Sequence, residues 1–263
     1  MKISILTLFC ISILGGVFAQ NNTTTIAYKN YPTEVKKLIK AYPDFIIGYD
    51  GENIIWKDGT KMLFDDKKKK TFNELLERPD IQDMFTYEYP INFTPPPKYN
   101  QDPGRIRNQA FFEKMYGSTK TEVSHNLDTV IWLPSTLHKK ILITRINGVN
   151  KQLQAVSNIL DTMREYRKYL VNIGGTFNWR KISGTDRLSP HSFGIAIDIN
   201  VKYSNYWRWE MKLHNGKFVY KNRIPMAIVK VFEAHGFIWG GKWYHFDTMH
   251  FEYRPELLIK VKQ

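Results

Sequence analysis

From Phe193 to Asn200 the chain alternates without a break. Phe193, Ile195, Ile197 and Ile199 fall on one parity, and Gly194, Ala196, Asp198 and Asn200 on the other. A period of two marks a β-strand whose two faces meet different surroundings. The apolar parity predicts a strand over 193–199 with one face on a core. The other parity is small, small, acidic and polar, which leaves open space before the strand with Asp198 standing in it. This one element therefore requires a sheet with a packed side and a cleared side. His191 lies just before the strand and can curl over the same space.

The surrounding pattern supports an α+β fold. Leu153, Val156, Leu160, Met163 and Leu170 form one stripe at helical spacing and predict a helix over 152–170. Short strands are expected over 129–133 and 141–146, and a short helix over 110–116. A helix is expected over 225–235, with Pro225 suited to its first turn and Gly236 to its C-terminal cap. Strands over 237–239 and 244–253 would close a central, mainly antiparallel sheet flanked by helices.

The N-terminal part reads differently. Val35, Leu38 and Ile39 predict a helix over 33–41. Three apolar runs near 45–47, 53–56 and 62–64 are separated by Asp50-Gly51 and Asp58-Gly59, strong hairpin turns, and read as a β-meander. Lys67 to Lys70 reads as a solvated loop. Thr71 and Glu74 form a capping box that opens a short helix. Between Tyr89 and Arg105 stand Pro90, Pro95, Pro96, Pro97 and Pro103, where regular structure is not expected. That connector is the expected boundary between an accessory region at 20–104 and a globular domain at 105–263.

The first residues point to a compartment. Lys2 precedes an almost wholly apolar run from Ile3 to Phe18 that ends at Ala19, which reads as a secretory leader at 1–19. The single cysteine, Cys10, lies inside that run, so the mature chain would hold no disulfide and no thiolate metal site. No later apolar run approaches membrane-spanning length. Lys and Arg number 38 against 25 Asp and Glu, a basic balance that favours an anionic partner without choosing among nucleic acid, lipid and an acidic wall polymer. The lysines are scattered and no basic-aromatic motif stands out, which speaks against nucleic acid.

Chemistry concentrates in two stretches. The first is His191 with Asp198. The second is His245-Phe246-Asp247-Thr248-Met249-His250-Phe251-Glu252. Two imidazoles and one carboxylate give three protein ligands and leave a fourth position for water, the arrangement of a catalytic rather than a structural zinc. A further carboxylate would then serve as general base. His250 and Asp247 are the first candidates in the second stretch, His245 is a competing ligand and Glu252 a competing base. His125, His138, His214 and His235 have no acidic neighbour at a suggestive spacing and read as structural.

Ser189-x-His191-x-x-Gly194-x-Ala196-x-Asp198 followed by Asp247-x-x-His250 resembles the zinc D-alanyl-D-alanine carboxypeptidase family. That family includes vancomycin-resistance D,D-peptidases and phage endolysins that cut L-alanyl-D-glutamate bonds. The run Gly236 to Trp243, and Asp rather than Glu at position 247, look most like the endolysin branch. The resemblance extends from about Thr129 to Leu258. It implies one zinc ion held by His191, Asp198 and His250, with Asp247 as general base. It implies an arginine that steadies the substrate carbonyl, for which Arg180 is the first candidate and Arg187 the second, and a substrate contact at Ser189. The implied function is an exported, periplasmic or extracellular peptidase acting on peptidoglycan stem peptides, as carboxypeptidase or endopeptidase. The competing reading is a non-catalytic wall-binding protein that keeps the fold.

Overall fold

The computed structural model describes residues 30–261. The leader expected at 1–19, with Cys10, lies outside the described residues. The N-terminal region follows its sequence pattern. Helix α1 (Thr33–Ala41) leads into strands β1 (Ile46–Tyr49), β2 (Asn53–Trp56) and β3 (Lys61–Leu63), an antiparallel three-stranded meander. Gly51 and Gly59 take positive φ in the two turns, as expected of Asp-Gly pairs. Helix α2 (Phe72–Glu77) carries the capping box, with the Thr71 hydroxyl and Glu74 carboxylate satisfying each other's backbone N–H groups.

The lysine run corrects the expectation of a fully solvated loop. Lys67 and Lys68 are exposed, but the Lys70 side chain is buried and its ammonium donates to Asp66, Asp80 and Asp83 at 2.9, 2.8 and 2.5 Å. Three carboxylates around one buried ammonium offset its desolvation. Asp65, Asp66 and Asp80 cluster closely enough to hold a cation, and Lys70 is the cation beside them.

Beyond the connector come α3 (Gln109–Tyr116), α4 (Lys120–His125) and the antiparallel pair β4 (Leu127–Trp132) and β5 (Lys139–Thr144). Helix α5 (Val149–Thr162) packs against both strands. The helix expected over 152–170 is broken. Met163 leaves helical geometry at φ −89°, ψ 67°, and α6 (Arg167–Leu170) starts after a 3₁₀ turn. The apolar stripe crosses the break because both pieces pack on the same core. The final sheet is β6 (Ile173–Gly175), β7 (Ala196–Asn200), β8 (Phe237–Trp239) and β9 (His250–Tyr253), all antiparallel, in the order β6-β7-β9-β8. Helices α7 (Trp207–Leu213) and α8 (Met226–Ala234) complete the region, α8 lying on β8 and α5.

Two strand limits differ from the sequence pattern. The strand expected from 193 begins at Ala196, because Pro190–Phe193 form a 3₁₀ turn closed by Gly194 at φ +65°. A side chain there would meet Leu127 Cδ2 at 2.9 Å and the Thr144 backbone nitrogen at 3.2 Å, so glycine is required on space as well as on φ. The strand expected over 244–253 is confined to His250–Tyr253, and the residues before it form a loop over the cleft.

The connector at 89–105 is irregular, and the apolar side chains before and after it join one core. Val35, Tyr42 and Trp56 belong to the same buried cluster as Phe111, Ile197, Phe232 and Phe251. The Tyr42 hydroxyl donates to Glu256 at 2.5 Å, and α1 packs on the turn Pro255–Leu257. Tyr89 donates to Glu233 and accepts from the Trp239 N–H, while the Trp243 indole donates to the Pro103 carbonyl.

Candidate active site

The sheet register brings the predicted residues together. Asp198 on β7 is the direct cross-strand partner of His250 on β9. On the other side of β7 its register partner is Gly175, and a side chain on the adjacent Gly174 would stand 3.1 Å from the Asp198 Cβ, so a residue without a side chain keeps the carboxylate's flank clear. His191 comes in from the turn before β7, which Ser189 caps by accepting the His191 N–H.

Each imidazole has one nitrogen tied down and the other aimed at Asp198. His191 Nδ1 donates to the Thr176 carbonyl at 2.5 Å, because a carbonyl can only accept. Its Nε2 lies 3.2 Å from Asp198 Oδ1, is buried, and makes no hydrogen bond. His250 Nε2 donates to Glu252 at 3.1 Å, and its Nδ1 lies 2.9 Å from Asp198 Oδ1. One atom each from His191, Asp198 and His250 falls within 4.8 Å of the others. Burial alone would raise the Asp198 carboxyl, but His191 and His250 outweigh it and hold it well below the usual carboxylate range. Two imidazole nitrogens and an ionised carboxylate converge on one point, one nitrogen a buried orphan, and once the nitrogens give up their protons the set fits a divalent metal with nitrogen and oxygen preference. Pinning the remote ring nitrogen is how proteins orient histidine ligands.

Asp247 lines the same cavity, which has a volume of about 290 Å³. Its position follows from the Gly240-Gly241 pair. Its backbone N–H donates to the Gly240 carbonyl, and a side chain on Gly240 would stand 2.6 Å from the Asp247 carbonyl oxygen. Asp247 Oδ1 is buried without a hydrogen-bond partner. Burial, then the nearby charge of Asp198, push its carboxyl up to about 7. A carboxyl so placed can exchange a proton near neutral pH.

Arg180 and Ser189 also line the cavity. Arg180 is not on a strand, since β6 ends at Gly175, and its side chain is exposed. It is not paired with Asp186, which Lys181 takes at 2.6 Å. Ser189 is buried, and its hydroxyl caps the turn that carries His191.

The two competing candidates have other partners. Glu252 is fully buried and accepts from His250, from Arg107 at 3.1 Å and from Arg254 at 3.1 Å. Burial would raise its carboxyl, but Arg107, His250 and Arg254 hold it down at about 2. His245 stands outside the group of three: its Nδ1 donates to Asp102 at 2.7 Å and its ring stacks on Phe72. Asp102 and Arg107 were not foreseen as site residues; Asp102 comes from the connector and Arg107 from the segment just after it.

Residues 183–253 match the family model of the D-alanyl-D-alanine carboxypeptidases. The match spans His191, Asp198, Asp247 and His250 and bears out the resemblance read from the sequence. Over this segment the chain is similar to those carboxypeptidases, which supports a peptidase of that kind, and its His-Asp-His group could bind a metal. Arg180 and everything contributed by the N-terminal region lie outside the match. No curated protein and no solved structure matches the chain.

Proposed function

We propose that the chain is an exported, zinc-dependent peptidase that hydrolyses peptide bonds of peptidoglycan stem peptides. The observation that carries the reading is the convergence of His191 Nε2, Asp198 Oδ1 and His250 Nδ1, with Nε2 buried and unsatisfied. These three residues would hold one zinc ion. Bound there, zinc supplies a Lewis acid and lowers the pKa of water toward about 7.

The remaining roles belong to the chain. Asp247 Oδ1 takes a proton from the attacking water and returns it to the leaving amine, for which a carboxyl near 7 is well matched. Arg180 donates to the carbonyl oxygen as charge develops on it, and removing such a donor costs on the order of 10²–10³ in kcat. Glu252 keeps His250 in the tautomer with a proton on Nε2. Ser189 fixes the His191 turn and edges the substrate cleft. The apolar run from Ile3 to Phe18 supports export, which would place a basic chain against an acidic wall polymer.

The test is digestion of purified stem peptides by the metal-loaded chain, with products read by mass spectrometry. One cleaved bond, lost on chelation and restored by zinc, is expected. Peptide binding without cleavage, with or without zinc, would replace the reading with a wall-binding role.

A further inference from the structure

The cleft has an aromatic side that the hydrolytic chemistry does not use. Tyr206, Trp207 and Trp209 line the same cavity as His191, Asp198 and His250. Tyr206 stands at the start of α7, and both tryptophans lie in its first turn. The chain here is stitched to the loop that carries Asp247. Tyr206 and Asp247 form an antiparallel bridge, the Trp207 N–H donates to the Phe246 carbonyl at 2.9 Å, and the Thr248 N–H donates to the Asn205 carbonyl at 2.9 Å. Glu210 ties down the inner face of the helix: it is buried, accepts from Asn205 Nδ2 at 2.7 Å and pairs with Lys221 at 3.0 Å. The aromatic side is therefore fixed relative to the metal pocket.

The three rings form one run. Tyr206 packs edge-on against both indoles, with centroids 6.1 Å from Trp207 and 5.4 Å from Trp209. Trp207 is backed in turn by His245 at 4.6 Å. Trp209 ends the run and is 47% exposed. An indole this open in the lining of a substrate cleft is apolar area left for a ligand. Its shape selects the ligand. A flat, unenclosed face shields little of an alkyl side chain, which needs walls on several sides to leave water. A pyranose ring suits it, because its C–H groups cover an aromatic face while its hydroxyls stay in water or meet donors at the edge. Arg208, exposed next to Trp209 and lying over the Trp207 ring at 5.2 Å, is such a donor.

We propose that Trp209, with Tyr206 at its edge, is a sugar-stacking platform of the cleft, and that the substrate is a stem peptide still joined to its glycan strand. The inference rests on the peptidase reading, which supplies the peptide; the platform adds the carbohydrate. Continuity with the cleft favours a sugar over a lipid surface. Trp209 lines the cavity, whereas Leu213, 71% exposed one turn further along α7, does not.

Binding is measured by calorimetry on the full chain without metal, where hydrolysis cannot interfere. Two ligands are compared: a stem peptide, and the same peptide carrying a disaccharide on its N-terminus. The disaccharide form should bind about ten-fold more tightly. Trp209→Ala should abolish that difference and leave the affinity for the free peptide unchanged. Trp209→Phe keeps a smaller flat face and should retain part of the difference, and Leu213→Ala should retain all of it. Equal binding of the two ligands to the unmodified chain, or no binding of either, would overturn the platform. So would a Trp209→Ala variant that weakens both ligands alike. Binding to phosphatidylglycerol vesicles that is lost in both Trp209→Ala and Leu213→Ala, with no preference for the disaccharide, would give the face to a membrane instead. Preference for the disaccharide form without cleavage by the metal-loaded chain would remove the peptidase reading and leave the platform standing. Equal binding and equal cleavage of the two forms would do the reverse.

Discussion

Replacing Glu252 with glutamine separates structural from metal-positioning consequences of one buried carboxylate. Oε2 accepts from His250 Nε2 and Arg107, both at 3.1 Å, and Oε1 accepts from Arg254 at 3.1 Å. Whichever oxygen becomes an amide NH₂ would then face a donor, and two buried guanidiniums would lose their shared counter-charge. Removing one partner of a buried ion pair costs about 3–5 kcal/mol. Glutamine keeps the volume and one acceptor, so the lower end, about 3 kcal/mol, is expected, against a total of about 5–15 kcal/mol for a typical domain. His250 would also lose the partner that holds its proton on Nε2, and outer-shell losses of this kind weaken metal affinity by about 10- to 100-fold. Urea denaturation reads the first effect and metal competition against a chelator the second. Glu256→Gln is the control. Glu256 bonds Arg254 and Tyr42 but not His250, so that variant should lose stability and keep its metal affinity. A Glu252→Gln protein within about 0.5 kcal/mol of wild type, the spread of ordinary surface substitutions, with unchanged metal affinity would refute the reasoning.

Other expectations are independent of that one. Asp247→Asn should keep the metal and lose about 10²–10⁴ in kcat, because an amide cannot take the proton from water; unaltered turnover in steady-state assays would remove Asp247 as base. Asp102 lies below its ordinary value, because the His245 hydrogen bond and the Arg105 charge outweigh the raising effect of burial. A depressed carboxyl stabilises the fold above about pH 4, near its unfolded value, and that contribution is lost as pH falls below it. Asp102→Asn should therefore flatten the acid limb of stability measured by denaturation from pH 6 to 3, and an unchanged slope would count against the assignment. A fragment starting at 105 would expose the core faces that pack on Tyr42, Trp56 and Tyr89. It should show no cooperative melting transition, whereas a sharp transition would mark it as an independent folding unit.

The site was legible where its geometry is local. The alternation over 193–200 put Asp198 on the cleared face, and short spacing put His191 near Asp198 and Asp247 near His250. Cross-strand register then delivered His250 opposite Asp198. What stayed hidden depends on partners far away in the chain. His245 and Glu252 read as a spare ligand and a spare base because Asp102, Arg107 and Arg254 could not be seen to meet them. The same holds for Lys70, which looks like one more surface lysine until Asp80 and Asp83 fold around it. The break in the helix at Met163 was invisible to periodicity because a 3₁₀ turn barely disturbs an apolar stripe. A proline-rich stretch signals irregular backbone, and here it holds His245 through Asp102 and brings Arg105, with Arg107 just after it, to the cleft.

The central claim is that His191, Asp198 and His250 hold one metal ion. Elemental analysis of the purified full chain, alongside His191→Ala and His250→Ala, tests it most directly. The account predicts one zinc per wild-type chain and loss of most of it in each variant, with circular dichroism confirming that the fold is kept. Wild-type zinc content in both folded variants would contradict it.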